Sequence, residues 1–342
     1  MPILTSQSDF VRAGSGTWQQ QMKWAIRDID SLKQRLKLPL GDEKSITGSA
    51  NAAGQFPVFV PLPLLVRMEP GNPNDPLLRQ VLPTAEEEES PAHYSIDPLA
   101  ESGATLQPGL LQKYDGRVLM IATGACAVHC RYCFRRHFPY QESPSSPSQW
   151  APAIEQIAND DSIEEVILSG GDPLTLVDSQ LSRLVEQLNS IPHLKRLRVH
   201  TRLPIMIPQR VTAELLEIFT RSPLHSIVVI HCNHANEIDE CVAESIAKLS
   251  NAGVTMLNQT VLLRGINDNG PTLIELSKRL LDCRVLPYYL HQLDPVIGVS
   301  HFEVTRERGE ELIAQMRAAL PGYAVPRYVK ELAGEANKTV WA

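Results

Sequence analysis

From about residue 117 onward the chain alternates short β-rich runs with amphipathic helical stretches six times, and no other feature limits the fold as strongly. The runs are RVLMIAT from Arg117, EEVILSG from Glu164, KRLRVHT from Lys195, SIVVIHC from Ser226, VTMLNQTV from Val254 and RVLPYYLH from Arg284. Apolar residues at helical spacing fall near 148–158, 178–190, 211–221, 236–251, 270–282 and 304–319. Such alternation calls for a parallel sheet, because each strand needs a crossover of helical length before the next. Right-handed crossovers curl the sheet, and six units make a partial (β/α)6 barrel rather than the full eight. In folds of this kind the chemistry collects at the C-terminal ends of the strands.

The remaining sequence divides around that core. Residues 1–105 are expected to form a helical and irregular extension, 106–320 the barrel, and 321–342 a C-terminal segment that closes the site. Met22, Ile26, Ile29, Leu32 and Leu36 predict one amphipathic helix over 18–37. The run Glu86–Glu89 reads as a solvated acidic surface. A net charge of −7 argues against nucleic acid as a partner held by bulk charge. The start MPILTSQSDFVRAG lacks the basic and apolar pattern of a signal peptide, and the apolar stretch 56–66 is short and interrupted by three prolines. The expectation is a cytoplasmic protein with no membrane partner.

Six cysteines are present, and three of them, Cys126, Cys130 and Cys133, stand in a C-x3-C-x2-C loop directly after the first run. In a reducing compartment such clustering points to metal chemistry rather than disulfides. Three thiolates can hold one corner set of an iron–sulfur cube, which usually takes four, and so leave one iron open to a small chelating molecule. A zinc site completed by His129 or His137 is the competing reading of the spacing alone. Cys232, Cys241 and Cys283 read as buried small hydrophobes. After the second run comes Ser169-Gly170-Gly171-Asp172, where two glycines allow close backbone approach to a ligand.

The cysteine spacing, with Tyr132 before the third cysteine, resembles the signature of the radical S-adenosylmethionine superfamily. That resemblance implies a 4Fe–4S cluster and S-adenosylmethionine. It makes Tyr132, Ser169, Gly170, Gly171, Asp172 and His231 candidate contacts for the latter. From about residue 55 to the end, MEPGNPNDPLLRQVLP, SGGDPL, TRLPIMIPQRV, NHANE, LNQTVLLRGINDN, YYLHQLDPVIGVSHF and GYAVPRYV look like the lysine 2,3-aminomutase family. The stretch CFRRHFPY and the short C-terminus look most like its bacterial branch that supplies β-lysine for modification of elongation factor P.

The family resemblance implies pyridoxal 5′-phosphate held on Lys338, the lysine of the LAGEANKT stretch, as a catalytic residue. It implies Lys113, Tyr114, Arg117 and Gln259 around that cofactor, Arg135 on the substrate α-carboxylate, and Asp294 with Glu331 on the distal ammonium. The activity implied is migration of the amino group of L-lysine from C2 to C3, giving β-lysine of the R form. An electron donor of flavodoxin or ferredoxin type and a functional link to the ligase acting on elongation factor P follow from the same resemblance. Arginine aminomutation, a methyl-transferring radical enzyme and a zinc-binding module stay open at this level.

Overall fold

The computed structural model describes residues 7–38, 48–140, 144 and 146–342. Its frame is one ten-stranded sheet whose strands lie side by side in chain order. The strands are β1 (Thr105–Gln107), β2 (Leu110–Tyr114), β3 (Arg117–Thr123), β4 (Glu165–Gly170), β5 (Arg196–Thr201), β6 (His225–His231), β7 (Thr255–Val261), β8 (Leu286–His291), β9 (Arg327–Lys330) and β10 (Thr339–Val340). Each neighbouring pair from β3 to β9 is parallel. Antiparallel strands flank the set on both sides.

Six helices fill the crossovers: Pro147–Ala158, Asp178–Asn189, Ala213–Arg221, Glu240–Asn251, Gly270–Asp282 and Arg306–Ala319. The expected β/α units are therefore present. β9 extends the parallel set beyond the six expected, because RYVK is too short to stand out by pattern.

Burial alternates along the strands in a way that exposes a lumen. On β5, Leu197, Val199 and Thr201 are buried, while Arg196, Arg198 and His200 are only partly so. On β7, Met256, Asn258 and Thr260 are buried and Leu257, Gln259 and Val261 are not. A period of two means that one face of each strand lies under the helices and the other faces inward. The helix side carries the main apolar core, with Val166, Leu168, Leu197, Val199, Val228 and Ile230 packed against Leu184, Leu188, Leu215 and Ile246. The inward face carries His, Arg and Tyr, among them Arg198, His200, Tyr289 and His291, which are only partly buried.

The segment 18–37 departs from expectation, forming two helices, Trp18–Trp24 and Ile29–Arg35. Ile26 leaves helical geometry to exchange backbone hydrogen bonds with Val60, and Asp28 caps the second helix by accepting from Ser31 N at 2.7 Å. Tertiary pairing thus overrides an uninterrupted helical pattern. The acidic run is also corrected. Glu87 is buried, and its carboxylate takes Arg131 Nη2 at 2.5 Å and Arg136 Nη2 at 2.8 Å. Cys241 is exposed, whereas Cys232 and Cys283 are buried as expected. No described helix is long and apolar enough to cross a membrane.

Candidate active site

The cysteine loop leaves β3 and is held from two sides. On the inner side Gly171 N donates to Thr123 O at 2.9 Å and Asp172 N to Ala125 O at 2.7 Å. That approach explains the two glycines. A Cβ on Gly171 would sit 2.3 Å from Ala125 O, and Gly170 has a φ of +111°, which L side chains rarely adopt. On the outer side the N-terminal extension grips the loop. Arg131 is fully buried, its Nε and Nη2 donating to Glu87, its Nη1 to Phe56 O, while Arg131 N donates to Gln80 O.

Cys126, Cys130 and Cys133 are half-buried, and among the described residues no three His, Cys, Asp or Glu side chains close on a single metal ion. The thiols nevertheless feel one another. Burial, and then the neighbouring thiols, push Cys126 well above its ordinary pKa and Cys133 up to about 11. Three sulfurs on one loop, near but not converging on a point, suit the corners of a cube. Cluster binding must then displace thiol protons. The histidines considered for zinc are engaged elsewhere: His129 Nδ1 lies 2.8 Å from Pro57 O with its ring stacked on Phe56, and His137 Nε2 lies 3.1 Å from Ile297 O.

Arg202 was not singled out from sequence, although it stands at the end of the third run. Its Nη1 lies 2.8 Å from Cys130 Sγ, while Nη2 donates to Gln80 Oε1 at 2.5 Å and Glu237 Oε2 at 2.8 Å. Tyr132 joins this network, its hydroxyl accepting from Asn233 Nδ2 at 2.7 Å. The Asp172 carboxylate accepts from Thr201 Oγ1 and Arg202 N, both at 2.7 Å, and so ties the glycine loop to the end of β5. His231 lies under Tyr132, with ring centroids 5.7 Å apart, and burial lowers its pKa to about 3. It is therefore a neutral imidazole, and its buried Nε2 has no partner.

Five charged residues from distant parts of the chain run across the lumen as a ladder of alternating sign. Arg135 donates through Nε and Nη2, each at 2.8 Å, to Glu101. Glu101 Oε1 lies 3.1 Å from Lys113 Nζ, which lies 2.8 Å from Glu331 Oε1, and Glu331 also pairs with Lys338. Burial disfavours both carboxylates as anions, but their cations outweigh it: Arg135 and Lys113 hold Glu101 down to about 2, and Lys338 and Lys113 do the same for Glu331. Glu101 is a second residue that sequence reading missed. It lies in a short 3₁₀ turn, Glu101–Ala104, with nothing local to mark it.

Arg135 is oriented by this contact rather than consumed by it. With its third contact, Nη1 to Ser169 Oγ at 3.2 Å, it uses three of the five N–H donors of a guanidinium and keeps two for another carboxylate. Asp294 has a lighter load than Glu331, with Lys330 Nζ at 3.6 Å. Burial raises its pKa to about 6.

Lys338 is not a frayed end. β10 pairs with β9, Tyr328 N donates to Ala342 O at 2.8 Å, and Trp341 meets the Tyr328 ring edge-on at 5.5 Å. This hairpin sets Lys338 within electrostatic reach of His200 and His291, whose pKa values fall well below normal, through burial first and then nearby cations. Around the same lumen Tyr114 lies under the Arg117 guanidinium at 4.6 Å, and Gln259 pairs in register with His231 and Tyr289. A buried lumen with unpartnered Nε2 atoms on His200, His231 and His291 has the donor set and the polarity to receive cofactor and substrate.

Comparison with known proteins places the chain in a family. Residues 120–276 match the family model of the radical SAM superfamily. The chain is 46% identical to L-lysine 2,3-aminomutase of Escherichia coli (strain K12), over 94% of this chain and 93% of that one. It is 45% identical to the Haemophilus influenzae protein of that name, over 95% of each chain. To that of Clostridium subterminale it is 36% identical, over 94% of this chain and 77% of the other. With near full-length identity of this order, and a cysteine loop and glycine loop locked together at the ends of β3 and β4, the chain belongs to the L-lysine 2,3-aminomutase family of the radical SAM superfamily.

Proposed function

We propose that this protein converts L-α-lysine to β-lysine of the R form, with a 4Fe–4S cluster, S-adenosylmethionine and pyridoxal 5′-phosphate. The observation that carries the reading is the charge ladder ending on Lys338, a lysine four residues before Ala342 yet held at the lumen by a β-hairpin. Its support is the name borne by relatives of near-equal length.

Cys126, Cys130 and Cys133 hold the cluster in this reading, and Tyr132, Ser169, Gly170, Gly171, Asp172 and His231 form the wall for S-adenosylmethionine. Lys338, with Lys113, Tyr114, Arg117 and Gln259 nearby, receives pyridoxal phosphate. When bound, these groups supply a carbon-centred radical and a π-system through which nitrogen can migrate. The work of the chain is placement. Arg135, pre-oriented by Glu101, offers its remaining N–H groups to the α-carboxylate. Asp294 with Glu331 receives the distal ammonium, since a charge taken into this lumen without a partner is costly. Two anchors at opposite ends of lysine fix C3 between them, and the burial of the lumen side chains limits the access of water. Neutral His200, His231 and His291 add hydrogen bonding without repelling a cationic substrate.

In the same reading residues 1–105 are an N-terminal extension, 106–320 the radical SAM partial barrel and 321–342 a C-terminal segment that closes the active site. The protein works in the cytoplasm, draws electrons from a flavodoxin- or ferredoxin-like donor, and supplies β-lysine to the ligase that modifies elongation factor P. The test is anaerobic incubation of the reconstituted chain with lysine, S-adenosylmethionine, pyridoxal phosphate and reductant, followed by chiral separation of α- and β-lysine. Appearance of (R)-β-lysine is expected, and 5′-deoxyadenosine without any β-lysine would overturn the proposal.

A further inference from the structure

Among the described residues, Arg202 is the one charged side chain hydrogen bonded to a sulfur of the cysteine loop, and none of the assignments above uses it. It follows β5 directly, and its Nη1 lies 2.8 Å from Cys130 Sγ. Several contacts fix that approach. Nη2 donates to Gln80 Oε1 at 2.5 Å and to Glu237 Oε2 at 2.8 Å, and Arg202 N donates to Asp172 Oδ2 at 2.7 Å. The Tyr132 ring lies 5.6 Å from the guanidinium carbon. Arg202 and Glu237 are both buried.

Glu237 is itself held in place. Its carboxylate accepts from Asn233 N at 2.9 Å, His234 N at 3.0 Å and Gln80 Nε2 at 3.1 Å. A guanidinium tied at its far nitrogen to a fixed carboxylate cannot swing away from the sulfur, and it does not give up its proton in a protein. Arg202 and Glu237 therefore form a buried dipole whose positive end touches Cys130. Salt screens such a buried pair little.

A thiolate that ligates iron keeps lone pairs that accept a hydrogen bond, and such bonds, with the charge nearby, set the potential of an iron–sulfur cluster. Reduction by one electron adds negative charge, which a fixed cation at the sulfur favours. We propose that Arg202 is a positioning residue that raises the reduction potential of the cluster through Cys130, and that Glu237 limits the rise. The pair thereby decides how strong a reductant the protein needs. The inference rests on the cluster assignment made under the proposed function.

The test is a dithionite titration, with redox mediators, of the anaerobically reconstituted full chain in the absence of S-adenosylmethionine. The reduced cluster is read by its paramagnetic signal, and iron content is measured alongside. Arg202→Gln should make reduction about tenfold less favourable, a fall of about 59 mV for one electron. Arg202→Lys, which keeps the charge but not the planar fork, should lie between Arg202→Gln and the unaltered protein. Glu237→Gln should move the potential the other way, upward, because it removes the negative end of the dipole. A merely structural role would lower iron content in these variants without shifts of opposite sign. If Arg202→Gln holds no cluster, the signs of the shifts in Arg202→Lys and Glu237→Gln decide. An unchanged potential in Arg202→Gln, or shifts of the same sign on replacing Arg202 and Glu237, overturns the inference and leaves the proposed function standing. Failure of the unaltered protein to take up iron and sulfide overturns the cluster assignment itself.

Discussion

Lys113 Nζ lies 2.8 Å from Glu331 Oε1, joining β2 to the residue that follows β9. These strands lie seven places apart in the sheet order, so the sheet curls until its two sides meet through side chains. Glu331 and Glu101 are where this seam is most exposed to perturbation, because each carboxylate holds two cations. Glu331→Gln leaves Lys338 without its carboxylate and Lys113 with Glu101 alone, and a loss of about 3–5 kcal/mol is expected for a broken buried pair. Denaturant unfolding measures it. Because the folded-state pKa of Glu331 lies near 2, below its ordinary 4.5, the stabilisation is present above about pH 4.5 and disappears as pH falls toward 2. The gap between the original and Glu331→Gln proteins should therefore shrink across that window.

Replacing Cys126, Cys130 or Cys133 by Ala should abolish the iron–sulfur absorbance and the cleavage of S-adenosylmethionine, since a cube held by three thiolates has none to spare. Replacing Cys241, which is exposed, should change neither. Iron and sulfide analysis with 5′-deoxyadenosine quantification decides the matter, and a normal cluster in Cys130→Ala would contradict the ligand assignment.

Asp294 gives a pH signature. Burial raises its pKa to about 6, opposed by Lys330, Lys338 and Lys113 and reinforced by Glu331. Below pH 6 it is mostly neutral and loses its attraction for an ammonium; above that it is an anion. Lysine affinity should rise from pH 5 to 7 with a midpoint near 6 and lose this dependence in Asp294→Asn. Equilibrium dialysis with labelled lysine on cofactor-loaded protein, checked for cluster content, gives the profile.

Lys338→Ala should leave the cluster and its paramagnetic signal unchanged while removing covalently held pyridoxal phosphate. Borohydride reduction followed by peptide mass analysis locates the modified residue in the original protein. Label on another lysine would displace the assignment.

Glu87→Ala tests the grip of the N-terminal extension on the cysteine loop. It strands Arg131 and Arg136, which are both buried at their side chains. A loss of about 3–5 kcal/mol in stability is expected. Reconstituted iron content should fall as well, although Glu87 touches no cysteine.

The six β/α units and the three clustered cysteines were legible because both are local: a period of two or 3.6 residues, and a spacing of a few positions. Family resemblance added Lys338, Arg135, Asp294 and Glu331, which no spacing would have selected. What was misread or unseen depends on contacts between segments far apart. Ile26 breaks a helical pattern because Val60 is there to pair with it, and Glu87 is buried because Arg131 and Arg136 reach it. Glu101, Arg202 and the tie between Lys113 and Glu331, 218 residues apart, have no local mark at all. The order of strands, their helices and the cysteine loop were thus determined by sequence alone, since periodic burial acts within each segment. The pairing of charges in the lumen was decided only in the tertiary structure, because the burial that makes an unpaired charge costly exists only once the sheet has curled.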